Sequence, residues 1–189
     1  MHDRYIINPL LALAILSLAA CKTSDIRYAS PVIEPTARIA SRYASLEVVD
    51  VTMPVYAAKE DIFVEDTDGA IKAPGPLWAD APARAMTLQL ARDLAAITGA
   101  TVAPEPWPFR GYAEAKVDVR FEEMLVTASG TFRISGQYFI APDTGGRNRS
   151  GQFSISAPLP AQPSPSQIAA ARGAVTSSLA EEIASRGLR

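Results

Sequence analysis

The pattern of hydrophobic and polar positions along the chain predicts strands first, then a helix, then three more strands and a C-terminal helix. An almost wholly apolar run, residues 6–20, comes first. Residues 46–53, L-E-V-V-D-V-T-M, are apolar on both faces and β-branched, which predicts a strand buried on both sides. Residues 62–72 predict a hairpin, because the Asp-Gly pair at its centre favours a tight turn. We interpret the acidic residues beside that glycine as part of the turn and not as a calcium loop.

The first helix is predicted to begin near Asp80, which we expect to be its N-cap. Pro82 lies in the first turn, where its missing N–H costs little, and Gly99 is placed for a left-handed C-cap. The charged residues of this helix, Arg84, Arg92 and Asp93, are predicted to lie mostly away from its apolar face. Apolar residues at helical spacing form the predicted core stripe: Met86, Leu90, Leu94 and Ile97.

Three further strands follow. Residues 115–121 alternate between apolar and charged side chains, which predicts a strand with one face in water. Glu122 and Glu123 interrupt the alternation and are expected to mark a bulge or a turn. Residues 131–140 predict a long strand, a loop follows over residues 142–151, and Phe153 and Ile155 mark the final strand.

The last helix is predicted to begin after Ser164, its cap, with Pro165 in the first position and Gly187 just past its end. Its apolar stripe consists of Ile168, Ala171, Val175, Leu179 and Ile183. Both helices would dock on one side of the same sheet. The predicted fold class is therefore α+β, a mostly antiparallel (mixed) sheet with two helices packed on one face.

The apolar run of residues 6–20 has the layout of a secretory signal peptide. Arg4 precedes it, and the small residues Ala19 and Ala20 lie just before Cys21. Its length is below the roughly 20 residues that span a bilayer. Residues 18–21, L-A-A-C, resemble the bacterial lipobox, in which the cysteine becomes the first mature residue and carries fatty chains such as palmitate. We therefore predict lipidation at Cys21; an ordinary signal peptide or an uncleaved anchor is the alternative.

These signals divide the chain into three parts. Residues 1–20 are the predicted lipoprotein signal peptide, residues 21–42 the lipidated cysteine with a flexible tether, and residues 43–189 a single domain. The tether contains serine, threonine and proline without a sustained period, which is typical of a spacer. Residues 26–28 are also compatible with a short edge strand.

Composition excludes several functions of the mature chain. Cleavage before Cys21 removes His2, the only histidine, and lipidation consumes the only thiol. Ser-His-Asp catalysis, Cys-His catalysis and zinc sites built on His or Cys are therefore excluded. The formal net charge of −2 leaves no basic surplus for nucleic acid. We predict no catalytic residues, no metal site and no cofactor.

Two segments resemble one known family. Residues 75–82, G-P-L-W-A-D-A-P, lead into the first helix, and residues 104–109, P-E-P-W-P-F, precede the alternating strand of residues 116–121. Together with the lipobox and the order of elements, they resemble the ABC-type transport auxiliary lipoproteins, which include the paraquat-inducible protein C lipoproteins. The likeness covers about residues 26 to 187, and the loop of residues 142–151 departs from it.

The resemblance implies a role that the residues alone do not supply. Members of the family are outer-membrane lipoproteins that work with MCE-domain periplasmic proteins and an inner-membrane permease. These systems move lipids or other hydrophobic molecules between membranes, and some of the lipoproteins form homo-oligomeric rings. The resemblance thus implies a non-catalytic subunit, anchored by lipid at the periplasmic face of the outer membrane. Lys22, where aspartate would favour inner-membrane retention, agrees with that location.

Trp78, Trp107 and Phe109 are the candidate partner-binding residues, because tryptophan is favoured at interaction hot spots. Prolines on both sides keep Trp107 out of a regular central strand. The sequence leaves a structural interpretation open for both tryptophans, namely a core plug for Trp107 and a staple at the helix entrance for Trp78. If Trp107 is an anchor, Trp107→Ala weakens association with the MCE partner and leaves the fold intact.

Two other functions compete with this one. A regulator or assembly factor of cell-wall or appendage machinery is possible on fold alone, since such proteins carry similar small α+β domains. A hydrolase with a carboxylate pair is less compatible with the sequence. Its candidates, Glu122 with Glu123 and Glu181 with Glu182, are sequence neighbours whose side chains point apart.

Overall fold

A computed structural model describes residues 26–189, so the predicted signal peptide and Cys21 lie outside the described residues. None of the helices in this range combines the length and the hydropathy that a membrane span needs. The helices are α1 (Pro82–Thr98) and α2 (Pro165–Glu182), the latter continued by a π-helical turn (Ile183–Gly187). The strands are β1 (Arg27–Tyr28), β2 (Ser45–Val48), β3 (Val64–Glu65), β4 (Ile71–Lys72), β5 (Leu77–Trp78), β6 (Thr101–Pro104), β7 (Ala115–Val126), β8 (Thr131–Pro142) and β9 (Arg149–Pro158).

The long strand β7 lies at the centre of a mixed sheet. One of its edges pairs antiparallel with β8, which in turn pairs antiparallel with β9. Its other edge is shared, because β2 pairs parallel with the start of β7 and β3 pairs parallel with its last residue, Val126. β6 lies parallel to β2, and β4 completes the hairpin with β3. The predicted α+β class with a mixed sheet is confirmed.

Strand β2 is buried on both faces, as predicted, because it lies between two parallel neighbours. It ends at Val48, earlier than its apolar composition suggested. The chain nevertheless continues along β7, where the Val49 N–H donates to the Val117 carbonyl at 2.9 Å and the Thr52 N–H to the Val119 carbonyl at 3.0 Å. The predicted strand therefore exists as a short regular ladder followed by an irregular edge.

The ends of α1 confirm two predictions and correct one. Pro82 begins the helix, and Gly99 ends it in the left-handed conformation with φ of 71°. Asp80 is not the N-cap, because that position belongs to Ala81, which makes no side-chain cap. The Asp80 carboxylate instead accepts from the Ala81 N–H at 2.8 Å and pairs with Arg84, one helical turn further on.

The two helices pack on one face of the sheet and also against each other, so α1 has two buried sides. Asp93, predicted to lie off the core stripe, is fully buried in the contact between the helices. Its Oδ2 accepts from the Ser177 hydroxyl at 2.7 Å and from the Gln89 side-chain amide at 3.2 Å. These bonds offset part of the cost of burying the carboxylate.

The described part of the predicted tether lies along the domain. β1 pairs parallel with β5, and the Ile39 N–H donates to the Ile97 carbonyl at 2.9 Å. Tyr28 and Ile39 pack against the core, which explains why this segment associates with the fold. The division between residues 21–42 and 43–189 stays a prediction.

The start of α2 confirms the predicted cap. The Gln167 N–H donates to the Ser164 hydroxyl, and the Gln167 side-chain oxygen accepts from the Ser164 N–H at 2.8 Å. We expect Ser164→Ala to lower the free energy of unfolding by about 1 kcal/mol, because one helix N–H loses its partner. Urea unfolding measures this change. Ser178→Ala, an exposed position within the same helix, is the control, and an equal loss in both variants would contradict the capping role.

Candidate functional site

The connection between β6 and β7 carries the most exposed aromatic rings of the candidate site. We call residues 105–112 the aromatic loop. Phe109 is 55% exposed and Tyr112 is 81% exposed, whereas Trp107 is half-buried. The rings of Trp107 and Phe109 meet edge to face, with centroids 5.0 Å apart and planes at 66°. The exposed Phe109 ring is therefore supported from one side by the indole.

Proline places this loop outside the sheet. β6 ends at Pro104, and Pro106 and Pro108 have no N–H to donate to a strand ladder. The chain must leave the sheet here, and the aromatic side chains between the prolines cannot become part of a regular strand.

A buried carboxylate in β2 binds the backbone of the aromatic loop. Glu47 in β2 is 5% exposed, and its Oε1 accepts from the Trp107 N–H at 3.0 Å. Its Oε2 pairs with the Lys116 ammonium at 2.8 Å. The hydrogen bond and the charge of Glu47 raise the pKa of Lys116, so this cation stays protonated. The carboxylate thus joins the loop to two neighbouring strands.

Both ends of the aromatic loop are also fixed to β2 and its flanks. The Glu105 carboxylate accepts from the Asp50 N–H at 3.3 Å. On the other side, the Glu114 N–H donates to the Ser45 hydroxyl at 3.0 Å, and its carboxylate accepts from the Ala44 N–H at 2.7 Å. An exposed aromatic surface with a fixed base loses little conformational freedom on binding, which favours association with another protein.

Of the three predicted site residues, Trp107 and Phe109 lie next to each other, whereas Trp78 is buried in another part of the domain. Trp107 and Phe109 belong to the aromatic loop. Trp78 is 1% exposed, with its ring stacked under the Arg172 guanidinium and edge-on to Phe132. The expectation that Trp78 contacts a partner is therefore not supported by the fold, and the alternative of a staple just before α1 fits its position.

Sequence reasoning missed Tyr112, Glu47 and Lys116. An acidic residue inside an apolar strand was a usable signal, since a buried carboxylate requires a donor or a cation. Lys116 was interpreted as part of a solvated face, and only the pairing of β2 with β7 brings it to Glu47. Tyr112 follows Gly111 in a stretch without a helical or strand pattern of apolar residues, so the sequence does not indicate that its ring is exposed.

The carboxylates of the β3–β4 hairpin serve its turn. Asp66 Oδ1 accepts from the Asp68 N–H at 3.1 Å, and its other oxygen pairs with Lys72. Hydrogen bonds from Asp68 and Lys72 lower the pKa of Asp66. Within residues 26–189 there is no group of three or more His, Cys, Asp or Glu side chains placed to hold a metal ion.

An apolar groove of about 560 Å³ lies where β7 ends, far along the strand from the aromatic loop. Its lining includes Val64, Val126, Ile168 and prolines from two connections, Pro76 and Pro163. Glu65 and Asp66 also line it, so two acidic residues accompany its apolar surface.

Comparison with known proteins identifies a family that this chain matches. A family model described as ABC-type transport auxiliary lipoprotein component matches residues 29–184. No curated protein matches the chain at a significant level.

Two of the similar solved structures, with TM-scores of 0.70 and 0.68, share the fold. A crystal structure of an uncharacterised protein is 17% identical, with a TM-score of 0.70 over 85% of this chain and 97% of that one. Protein XCC0632 from Xanthomonas campestris is 15% identical, with a TM-score of 0.68 over 87% of this chain and 95% of the other. A PelC dodecamer from Paraburkholderia phytofirmans is 11% identical, with a TM-score of 0.44 over 79% of this chain and 96% of that chain.

Proposed function

Because this chain belongs to the family of ABC-type transport auxiliary lipoprotein components, we propose that it is the non-catalytic lipoprotein subunit of an MCE-type transport system. Such a system moves lipids or other hydrophobic molecules between membranes, and this subunit docks the periplasmic MCE component at the outer membrane. The family match over residues 29–184 is the observation that carries the proposal, because it extends from the residue after β1 into the π-helical turn that follows α2.

The chemistry of the side chains supports a role without catalysis. The acidic neighbours that a hydrolase would require are engaged elsewhere, since Glu123 pairs with Arg133 at 2.5 Å and Glu122 accepts from Gln137 at 3.2 Å. Glu182 pairs with Arg186 at 3.3 Å. Three of the four candidate carboxylates, those of Glu122, Glu123 and Glu182, therefore have a structural partner.

The proposed anchor is lipidated Cys21, and the short chain behind it keeps the domain near the bilayer. Ile26 is fixed to the domain, because its carbonyl accepts from the Leu77 N–H at 3.3 Å. The chain from Cys21 to Ile26, five residue-to-residue steps, extends at most about 18 Å. A domain held this closely is well placed to receive a periplasmic partner at the membrane surface.

We propose that the aromatic loop contacts the MCE partner. Phe109→Ala and Tyr112→Ala are each expected to weaken the association about tenfold, because each removes an exposed ring from a fixed surface. Trp107→Ala is expected to act in the same direction through the lost support of Phe109. Co-purification of the MCE protein from detergent extracts, titrated against the lipoprotein, measures the change.

The control for these variants is Val55→Ala, which trims an apolar side chain that is 86% exposed outside the loop. It should leave the association unchanged, and thermal unfolding should show that all four variants are folded. Unchanged co-purification of Phe109→Ala and Tyr112→Ala would exclude the aromatic loop as the docking surface.

Cross-linking in intact cells, followed by mass spectrometry, tests the function itself. The proposal expects the MCE protein and, through it, the inner-membrane permease among the products. It also expects products at multiples of the chain mass, because the family resemblance implies a homo-oligomeric ring. Recovery of peptidoglycan enzymes alone would favour a regulator of cell-wall machinery and contradict the transport role.

A further inference from the structure

A second cavity, of about 210 Å³, lies between the N-terminal segment and the two helices. Ser30 and Val32 line it on one side, and Leu88, Arg92 and Arg172 line it from the helices. We call this the arginine cavity. Neither the aromatic loop nor the apolar groove contributes to it.

Arg172 is an unusual cation for such a position. Its side chain is 4% exposed, its Nε donates to the Ser30 hydroxyl at 2.9 Å, and its guanidinium lies 4.1 Å from the Trp78 ring centroid. One terminal nitrogen has no hydrogen-bond partner among residues 26–189, and no carboxylate there forms an ion pair with it. A buried charge without an opposite charge is costly, so the site is incomplete as it stands.

The charge remains at neutral pH. Burial lowers the pKa of Arg172 to about 10, and the nearby Asp80 carboxylate opposes this shift. A base with that pKa is still protonated at pH 7. The cavity therefore contains a permanent positive charge in a desolvated position.

Neighbouring charges do not cancel it. Asp80, which also lines the cavity, pairs with Arg84, and Asp93 pairs with Arg92 at 3.5 Å. Three arginines and two aspartates leave a balance of one positive charge, that of Arg172. The Ser30 hydroxyl accepts from Arg172 and keeps its own proton to donate. The unsatisfied group is thus a cation beside a hydroxyl donor, which suits an oxyanion.

The rim of the cavity is apolar and exposed. Val32 is 69% exposed and Leu88 is 38% exposed, and both line the cavity. Ile33, the next residue along the chain, is 41% exposed. Apolar side chains around a cationic centre match the boundary of a bilayer, where acyl chains and anionic headgroups lie next to each other.

We propose that the arginine cavity binds the phosphate group of an anionic phospholipid, with Arg172 and Arg92 as its cations and Ser30 as a hydroxyl donor. The position along the chain supports a lipid rather than a soluble phosphate. Ser30 follows Cys21 by nine residues, an extended reach of at most about 32 Å. This nearness to the membrane rests on the proposed anchoring, whereas the site itself rests on Arg172.

Native mass spectrometry of the full chain, extracted from membranes in detergent, tests the site. The added probe is dioleoylphosphatidylglycerol, and dioleoylglycerol, which has the same chains without phosphate, is the ligand control. We expect retention of the phospholipid alone. Arg172→Gln should weaken retention about tenfold or more, because it removes a charge-assisted hydrogen bond.

Arg92→Gln is a second variant in the same cavity, and it tests the proposal even if Arg172→Gln does not fold. Its side chain is 46% exposed, and we expect about threefold weaker retention from the loss of one partly solvated charge. Arg147→Gln makes the same charge change at an exposed loop position and should leave retention unchanged. Thermal unfolding reports whether each variant is folded.

Equal retention of the two lipids, or unchanged phospholipid retention in folded Arg172→Gln and Arg92→Gln, would overturn the proposal. Displacement of the phospholipid by equimolar glycerol 1-phosphate would overturn its lipid part, because a soluble phosphate ester would then suffice. These outcomes are independent of the transport role, since no MCE protein is present in the measurement and the cross-linking test does not depend on Arg172.

Discussion

Cys21→Ser is expected to abolish incorporation of labelled palmitate and to prevent processing of the precursor at this position. Serine has no thiol to carry the thioether-linked lipid, so neither the glyceride nor the amide-linked chain can be added. Each buried methylene contributes about 0.8 kcal/mol to membrane association, so loss of two or three acyl chains removes essentially the whole anchor of the mature protein. Metabolic labelling and fractionation of membranes from the soluble periplasm measure the result.

The matched control is Ser24→Ala, a small change three residues further along the same segment, which should label and fractionate as the unmodified protein does. The mass of the product separates the alternatives. A Cys21→Ser protein that stays in the membrane with residues 1–20 attached indicates an uncleaved hydrophobic segment. Failure of the unaltered protein to incorporate palmitate would contradict lipidation and, with it, the proposed anchoring.

The parts of the fold predicted from sequence are those with local signals. The alternation in β7 reports its two environments directly, since Val117 and Val119 are buried while Lys116 and Arg120 are exposed. The same holds for the cap of α2, where Ser164, Pro165 and Gln167 act within one turn. Each of these patterns is completed by residues close in sequence, which is why a single sequence contains it.

The missed elements depend on distant partners. β1 and β5 have two residues each, and they form only because Arg27 and Tyr28 meet Leu77 and Trp78 from a remote part of the chain. β6 is short and ends in proline, so it shows no period, and its pairing with β2 defines it. Asp93 was placed on a face away from the core stripe, but that face meets α2, a contact that helical periodicity alone does not report.

The candidate site was predicted in part for the same reason. Proline positions identified the connection that holds Trp107 and Phe109 outside the sheet, which is a local effect. The burial of Trp78 follows from its contact with Arg172 on α2, and the support from Glu47 follows from strand pairing. Residue type therefore indicated which side chains were candidates, and tertiary contacts decided which of them are exposed.

Gly136→Ala is expected to lower the free energy of unfolding by about 3 kcal/mol. Gly136 in β8 lies opposite Phe121, at the bulge of β7, with φ of +156°. A Cβ atom there would lie 2.1 Å from the Arg120 carbonyl oxygen and 2.9 Å from the Phe121 Cα. Both atoms belong to the backbone of the neighbouring strand and cannot rotate away, so the bulge itself must shift. Urea unfolding followed by tryptophan fluorescence measures the change.

Gly130→Ala is the control that separates backbone strain from overlap. Gly130 lies in the β7–β8 turn with φ of +78°, and a Cβ atom there would meet nothing within 4 Å. Its substitution should cost about 1 kcal/mol, the penalty of the left-handed conformation alone. A loss no larger in Gly136→Ala than in Gly130→Ala would contradict the close approach of the two strands. A larger loss indicates that the bulge, which keeps Phe121 in contact with Phe153 at 5.5 Å between ring centroids, depends on glycine in the opposite strand.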